Sequence, residues 1–159
     1  MISQRITYDN QEIELSYIST KDLTSIDKTK VKQIYGVCFY GDKIVLGFNS
    51  SNNWTLLGGK PEAGESFFQT LAREIKEESN MKLINAWPLG YQTQSGRNTY
   101  QLRYACIVEP FGEFVKDPAG GIIKIELVDP KDANKYLKWG KIGDYLIDTA
   151  TNLVKNSKL

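Results

Sequence analysis

Three glutamates near the middle of the chain, Glu74, Glu77 and Glu78, have the spacing and the chemistry of a cation-binding group. In an α-helix they fall within an arc of roughly 100° and share one face. They repel one another by about 0.2–0.5 kcal/mol per pair. A divalent cation would relieve this repulsion, because Mg²⁺ prefers oxygen ligands. The alternative is a solvated face that Arg73 and Lys76 partly neutralise.

The surrounding sequence predicts the helix that positions these glutamates, over residues 66–79. Ser66 and Gln69 match a capping box, in which each side chain bonds the other residue's backbone N–H. An apolar stripe at intervals of four marks the buried face: Phe67, Leu71 and Ile75. The carboxylates border this stripe, so we expect them at the edge of a cleft. The preceding pair Gly58-Gly59 allows the backbone to approach a metal or phosphate closely.

The complete absence of histidine restricts the chemistry of this chain. Ser-His and Cys-His catalysis and histidine-ligated zinc are all excluded. Cys38 and Cys106 lie in apolar segments, so we expect buried reduced thiols, with a disulfide or a nucleophile as the alternatives. Carboxylates, Lys, Arg, Tyr or a bound metal must therefore perform any catalysis.

The charge balance argues against a polyanionic partner. The net charge is +1, from 20 basic and 19 acidic side chains, and gives no global attraction to nucleic acid or an anionic membrane. The sequence has no apolar run of about 18 residues. Its N-terminus lacks the apolar stretch of a signal peptide. We expect a cytoplasmic protein that binds neither nucleic acid nor membranes.

The order of predicted elements indicates the α/β (α+β) class, with helices on the faces of a mixed sheet in a single domain. Strands are predicted at 5–18 around a turn at Asp9-Asn10, and at 31–40, 43–48, 54–57, 82–92, 98–109 and 121–128. A helix or turn follows at 130–137 and a final helix near 142–155. We expect residues 1–30 to form a β-hairpin extension and connection, and residues 31–159 to form the main domain.

The segment Gly59–Met81 resembles the Nudix box, which is a glycine, a glutamate, and then an Arg-Glu and a Glu-Glu pair at fixed spacing. The matching residues are Gly59, Glu65, Arg73, Glu74, Ile75, Glu77, Glu78 and Met81. Asn80 stands where the family has glycine. We expect it to be tolerated there, because Asn adopts the left-handed conformation more readily than most residues. Leu57 stands where a proline is usual, which removes no ligand.

The resemblance implies a Nudix-type α/β/α sandwich and a set of roles. Metal ligands would be Glu74, Glu77 and Glu78, with a carbonyl of Gly58 or Gly59, and the cofactor would be Mg²⁺ or Mn²⁺. Arg73 would orient a box glutamate, and Glu65 would support it, which completes the catalytic group of Arg73, Glu65 and the three ligands. The general base stays open. Glu77 and Glu78 are candidates, and so is Asp117, because Gly120-Gly121 fill the later position that carries a glutamate in some relatives.

The substrate implied is a nucleoside diphosphate linked to another group, most consistently a (deoxy)nucleoside triphosphate or an oxidised nucleotide. Candidate substrate-binding residues are Arg97, Arg103, Tyr91 and Tyr100. The alternatives are packing for the tyrosines and a solvated surface for the arginines. Trp54 and Trp87 are weighed in the same way, as base-stacking groups or as packing.

Other functions remain open on the same fold. They are an ADP-sugar or dinucleoside-polyphosphate hydrolase, a non-catalytic nucleotide-binding regulatory module, and an isomerase that uses the metal as a Lewis acid. Non-catalytic modules usually lose box glutamates, and this chain keeps all of them. The expected partner is a small nucleoside-phosphate molecule, and a homodimer is left open.

Overall fold

A computed structural model describes residues 1–115 and 117–158, which form a nine-stranded sheet and three α-helices. The strands are β1 Ile2–Tyr8, β2 Gln11–Ser19, β3 Val31–Tyr40, β4 Lys43–Asn49, β5 Trp54–Thr55, β6 Leu57–Gly59, β7 Met81–Gln94, β8 Tyr100–Pro110 and β9 Ile122–Val128. The helices are α1 Phe67–Ser79, α2 Pro130–Leu137 and α3 Gly140–Ser157.

The sheet is mixed, as the sequence predicts. Its main path runs β1-β2-β7-β8-β3-β4-β5, with β6 paired to β3 and β9 paired to β4. The β3–β8 pair is parallel and the other pairs are antiparallel. Helix α1 covers one face, whereas α2 and α3 cover the other, which confirms the sandwich.

The two faces of β3 bury alternate residues against different helices, as strand geometry requires. Ile34 and Cys38 pack with Leu71 and Ile75 of α1. Val37 and Phe39 pack in the second core, which the inner faces of α2 and α3 complete. The expected buried, reduced thiols are confirmed, because Cys38 and Cys106 are both free and fully buried.

The segment predicted as one strand at 54–57 is divided in two. Trp54–Thr55 pairs with β4, whereas Leu57–Gly59 pairs with β3 at Ile34–Gly36. The glycine pair therefore lies inside a strand and does not follow it. Fully buried Leu56 and Leu57 hold this segment between the two partner strands.

Helix α1 begins and ends as its sequence predicts. Ser66 Oγ accepts the Gln69 N–H at 3.1 Å, and Gln69 Oε1 accepts the Ser66 N–H at 2.9 Å. At the other end, Asn80 is left-handed, with φ 55° and ψ 40°. Its N–H donates to Lys76 O, and its Nδ2 donates to Glu113 O at 3.0 Å. The end of α1 is thereby tied to the loop after β8.

The N-terminal hairpin extends the main sheet. Asp9 and Asn10, at its turn, both have positive φ, which matches the right-handed twist of paired strands. Strand β2 pairs with β7 over Leu15–Ser19. Gln4 on β1 reaches the start of α3, where its Nε2 donates to Trp139 O and its Oε1 accepts the Ile142 N–H, both at 3.1 Å. Trp139 is the N-cap residue of α3, but its side chain makes no capping hydrogen bond. Gln4 accepts one of the N–H groups in the first turn of α3 instead.

Replacing Asn80 tests the end of α1. Asn80→Gly removes the left-handed strain but also the bond to Glu113, so we expect a change within about 1 kcal/mol of zero. Asn80→Ala keeps the strain and loses the bond, so we expect a loss of about 1–3 kcal/mol. Urea unfolding measures both. Equal stability of the two variants would contradict the left-handed assignment.

Candidate functional site

The glutamates of α1 face the short strand β6. Glu78 Oε1 accepts the Gly58 N–H at 2.7 Å, which joins the last turn of the helix to the strand. Gly58 has φ 153°, and a Cβ there would overlap the Ile34 carbonyl and the Tyr35 backbone. Only glycine therefore lets β6 lie close enough to β3 while its N–H points at Glu78.

The second glycine makes room for another box carboxylate. A Cβ at Gly59 would overlap the carboxylate of Glu74. The Glu74 carboxylate therefore occupies the space in which a side chain at position 59 would lie. The Glu74 carboxylate is thus brought against the backbone of β6, and carboxylate oxygens are ligands that hard cations prefer.

Arg73 is the centre of a charge-assisted network beside the glutamates. Its Nε donates to Glu65 Oε2 at 2.7 Å and its Nη2 to Glu65 Oε1 at 3.0 Å, a bidentate pair. Its Nη1 donates to Glu74 Oε1 at 2.9 Å, and its Nη2 also donates to Lys60 O at 3.0 Å. One guanidinium therefore fixes Glu74 through Oε1, the carboxylate oxygen that also lies nearest to Gly59.

The same guanidinium shapes the charge state of its partners. Its hydrogen bonds lower the pKa of Glu65 to about 2, so Glu65 is a constant anion. Longer ion pairs join Arg73 to Glu62 at 3.7 Å and to Glu77 at 3.6 Å. The Glu77 side chain is 37% exposed, against 16% for Glu74, and is the more accessible of the two.

Glu78 is the most perturbed carboxylate. Burial, together with the nearby charges of Glu74, Asp117 and Glu77, raises the pKa of Glu78 to about 8, although the Gly58 N–H opposes the shift. Burial also raises the pKa of Glu74, and Arg73 lowers it in opposition. A protein that needed this cluster only for stability would not place an acid where its charged form is disfavoured.

The donor set suits a divalent cation, although within residues 1–115 and 117–158 no three acidic, thiol or imidazole groups are already gathered around one point. Mutual repulsion and the bonds to Arg73 and Gly58 hold the carboxylates apart. Every donor is an oxygen, and the glycine cradle leaves room beside Glu74. These features fit a hard metal that keeps several waters.

Asp117 lies close enough to raise the pKa values of Glu74 and Glu78, but both its oxygens are engaged. Oδ1 accepts the Ala119 N–H and Oδ2 accepts the Ile122 N–H, each at 2.9 Å. The side chain is 3% exposed and closes the loop that leads into β9. This geometry favours a structural role over proton transfer.

The four candidate substrate-binding residues are not brought together. Tyr91 and Tyr100 contact each other edge to face, with ring centroids 5.2 Å apart, and pack beside the α1 core. Arg97 is exposed at the β7–β8 turn and lines a groove of about 330 Å³ with Lys32 and Lys60. Trp54 packs on Phe48 and Tyr136, and Trp87 packs on the α3 core.

The alternative of a solvated surface position is wrong for Arg103, because this residue is only 2% exposed. Its guanidinium lies between the rings of Tyr35 and Trp139, at 5.2 and 5.4 Å from their centroids. Burial lowers the pKa of Arg103 to about 10. Sequence reasoning did not place Tyr35, Trp139 or Gln4 at a site. No local sequence pattern indicates that they lie together, because Gln4 and Trp139 are 135 residues apart.

Comparison with known proteins agrees with this geometry. The sequence profile of the NUDIX domain matches residues 32–149. Curated protein sequences gave no match. The Bacillus subtilis pyrophosphohydrolase BsRppH superposes with a TM-score of 0.70 at 18% identity, covering 97% of both chains.

Two further structures show the same fold. An ADP-ribose pyrophosphatase from Streptococcus suis gives a TM-score of 0.56 at 16% identity, covering 77% of this chain and 90% of its own. An Ap4A hydrolase from C. elegans gives 0.59 at 17% identity, covering 79% and 99%. Among the described residues, no helix is long and apolar enough to cross a membrane.

The burial of Glu78 predicts a pH-dependent stability in metal-free protein. A carboxyl whose pKa rises to about 8 on folding stabilises the fold below its unfolded pKa, and this contribution is lost as the pH rises toward 8. Glu78→Gln keeps an acceptor for the Gly58 N–H and removes the titration. We expect the variant to be about 2–4 kcal/mol more stable than wild type near pH 8.5 and nearly equal near pH 5.

Urea unfolding with a chelator present, at several pH values, measures this difference. Glu109→Gln, an exposed carboxylate at the end of β8, is the matched control and should follow wild type throughout. A Glu78→Gln profile parallel to wild type would show that Glu78 is not destabilised by burial.

Proposed function

The chain belongs to the Nudix hydrolase family, and from that premise we propose that it is an Mg²⁺- or Mn²⁺-dependent pyrophosphohydrolase. The bond cleaved is a phosphoanhydride in a nucleoside diphosphate linked to another group, most consistently a (deoxy)nucleoside triphosphate or an oxidised nucleotide. One observation carries the proposal. Two box glutamates are set directly against a glycine pair, Glu78 by a hydrogen bond to Gly58 and Glu74 by contact with Gly59.

Nudix hydrolases use divalent metals, and the residues proposed to hold one here are Glu74, Glu77 and Glu78, with a carbonyl of Gly58 or Gly59. The metal would supply charge neutralisation for the diphosphate and a lower pKa for the attacking water. Arg73 and Glu65 hold Glu74 in one orientation. This arrangement fixes the carboxylate before substrate arrives, which avoids reorganisation during the reaction.

Glu77 is the proposed general base. Its side chain is the more exposed, and its contact with Arg73, at 3.6 Å, is longer than a hydrogen bond. Glu78 is engaged by the Gly58 N–H, and both oxygens of Asp117 accept backbone bonds. Among the described residues, Glu77 is therefore the box glutamate whose carboxylate accepts no hydrogen bond, and it can take a proton from a water on the cleft side.

The groove beside the box supports a phosphate-rich substrate. Lys60 follows the glycine pair directly, and Lys32 and Arg97 line the same groove. The other lining residues are uncharged: Gln33, Gln92, Thr93, Gln94, Thr99 and Gln101. A groove with cations and amides but no acid attracts phosphate oxygens. We accordingly assign phosphate contact to Arg97, whereas Tyr91 and Tyr100 pack against each other.

A nucleotide panel with Mg²⁺ or Mn²⁺ and Glu77→Gln tests the activity. We expect phosphate or pyrophosphate release that a chelator abolishes, and a fall of about 10²–10⁴-fold in kcat for the variant, because a general base is lost. Glu109→Gln should keep wild-type turnover. Full turnover by Glu77→Gln would remove Glu77 from the mechanism. Metal-dependent binding of nucleotides without any turnover would favour the regulatory module.

Arg73→Lys tests the positioning network. Lysine keeps the charge but lacks the planar fork that bonds Glu65 twice while also reaching Glu74. We expect a fall of about 10–100-fold in kcat and a weaker apparent metal affinity, because the supporting contacts of a ligand are lost. Arg5→Lys, at an exposed hairpin position, is the control. An unchanged metal dependence would contradict the positioning role.

A further inference from the structure

A second cavity, of about 310 Å³, lies on the α3 side of the sheet beneath the N-terminal hairpin. The hairpin supplies one wall through Gln4, Ile6 and Leu15. The sheet and the turn before α3 supply the opposite wall, through Tyr35, Arg103 and Trp139. Its volume is at the lower end of those of small-molecule sites and suits one planar group.

Arg103 is the unusual residue of this cavity. It is 2% exposed, and in the part of the chain that the structure describes no carboxylate lies within ion-pair distance. Contacts with two aromatic rings offset part of the cost of burying its charge. Even so, burial of a guanidinium without a counter-charge is destabilising. A ligand that carries hydrogen-bond acceptors would offset that cost.

The hydrogen bonds of Arg103 leave donors free. A guanidinium has five N–H groups. Among the described residues, Nη1 donates to Leu102 O at 3.3 Å and Nη2 donates to Gln101 Oε1 at 3.1 Å. Those two bonds leave donor capacity beside the cavity, whose lining also includes the amides of Gln33 and Gln92. The cavity thus offers a charged donor and several amides to a flat group that carries hydrogen-bond acceptors.

Donor geometry selects among nucleobases. A guanidinium pairs with two neighbouring acceptors, and the O6 and N7 atoms of a 6-oxopurine are such a pair. Adenine places an amino donor where the 6-oxopurine has its carbonyl, so one N–H of arginine would face another donor. A pocket built on a buried arginine therefore favours guanine-type bases over adenine.

The cavity is adjacent to the box. Tyr35, whose ring contacts Arg103, is paired with Gly58 across the β3–β6 ladder. The Gly58 N–H in turn holds Glu78. The charges of Arg103, Glu78 and Glu74 all act on the Tyr35 hydroxyl, so the buried arginine and two box carboxylates lie near the same residue. A nucleotide whose phosphates are held at the box would place its base toward this cavity.

We propose that Arg103 recognises the base of a 6-oxopurine nucleotide in this cavity, and that the N-terminal hairpin forms one wall of the pocket. The inference rests on the proposed function for the placement of the phosphates. It gives residues 1–30 a role, since the hairpin lies outside the matched span of residues 32–149. Gln4 fixes the hairpin against Trp139 and so holds the wall closed.

The first experiment measures binding without catalysis. Guanosine and adenosine 5′-monophosphates are titrated against the protein in chelator, with tryptophan fluorescence as the readout because Trp139 lines the cavity. We expect guanosine monophosphate to bind at least about 10-fold more tightly, and Arg103→Lys to reduce this ratio to near 1. Arg5→Lys should leave the ratio unchanged. Equal affinity of wild type for the two nucleotides would overturn the inference.

The second experiment measures kcat/KM for guanosine and adenosine triphosphates with Mg²⁺. We expect Arg103→Lys to reduce the ratio of the two values about 10-fold or more, chiefly through KM for the guanine nucleotide. Thermal unfolding establishes that the variant is folded, and Gln4→Ala, which opens the hairpin wall, provides a second test if it is not. Gln4→Ala should raise KM for the guanine nucleotide and leave metal dependence unchanged.

The outcomes separate the two proposals. Metal-dependent hydrolysis with a base ratio that Arg103→Lys and Gln4→Ala both leave unchanged would overturn the inference and leave the proposed function standing. Selective guanosine monophosphate binding without hydrolysis of any nucleotide would support the base site and contradict the proposed activity. A cavity variant that lost stability alone, with an unchanged base ratio, would show that Arg103 has only a structural role.

Discussion

The hydrogen bond from the Gly58 N–H to Glu78 is the interaction on which the arrangement of the site depends. It joins the end of α1 to a three-residue strand in the sheet, and it exists because glycine allows β6 to lie against β3. The same contact buries a carboxylate whose pKa rises to about 8. Helix position, strand pairing and carboxylate chemistry are therefore set by one short contact.

This arrangement destabilises the metal-free protein and leaves the box carboxylates available for a cation. Like charges on one helix face repel, and burial further disfavours the charged carboxylates, while Arg73 compensates at Glu74 and the Gly58 N–H at Glu78. Arg73 is directed at Glu65 and Glu74 and reaches Glu77 only at 3.6 Å. The cluster is thus partly neutralised, which leaves charge available for a cation. Functional sites commonly retain strain of this kind that the rest of the fold offsets.

The sequence predicts most of the fold and the box because both depend on local patterns. The capping box at Ser66 and Gln69 and the apolar stripe of α1 need only neighbouring residues, and so does the left-handed Asn80. The division of residues 54–59 into two strands was missed, because it depends on which partner strand each half meets. An apolar run alone does not carry that information.

The buried arginine was beyond local reasoning for the same physical cause. Arg103 lies in a stretch of β8 that is buried on both faces from Leu102 to Cys106, and its environment is set by Tyr35, Trp139 and the hairpin. These groups come from three distant parts of the chain. A cavity that is lined by residues from distant segments produces no periodic pattern in the sequence. The glutamate spacing, by contrast, has one, and so the cation site is visible in the sequence whereas the cavity is not.

Isothermal titration calorimetry of Mg²⁺ into protein with a non-hydrolysable nucleotide measures whether the box carboxylates bind a cation. We expect saturable uptake of at least one ion per chain, which is lost when Glu74 and Glu78 are both replaced by glutamine. An absence of any uptake with nucleotide present would contradict it, since the crowded carboxylates would then have no cation to hold.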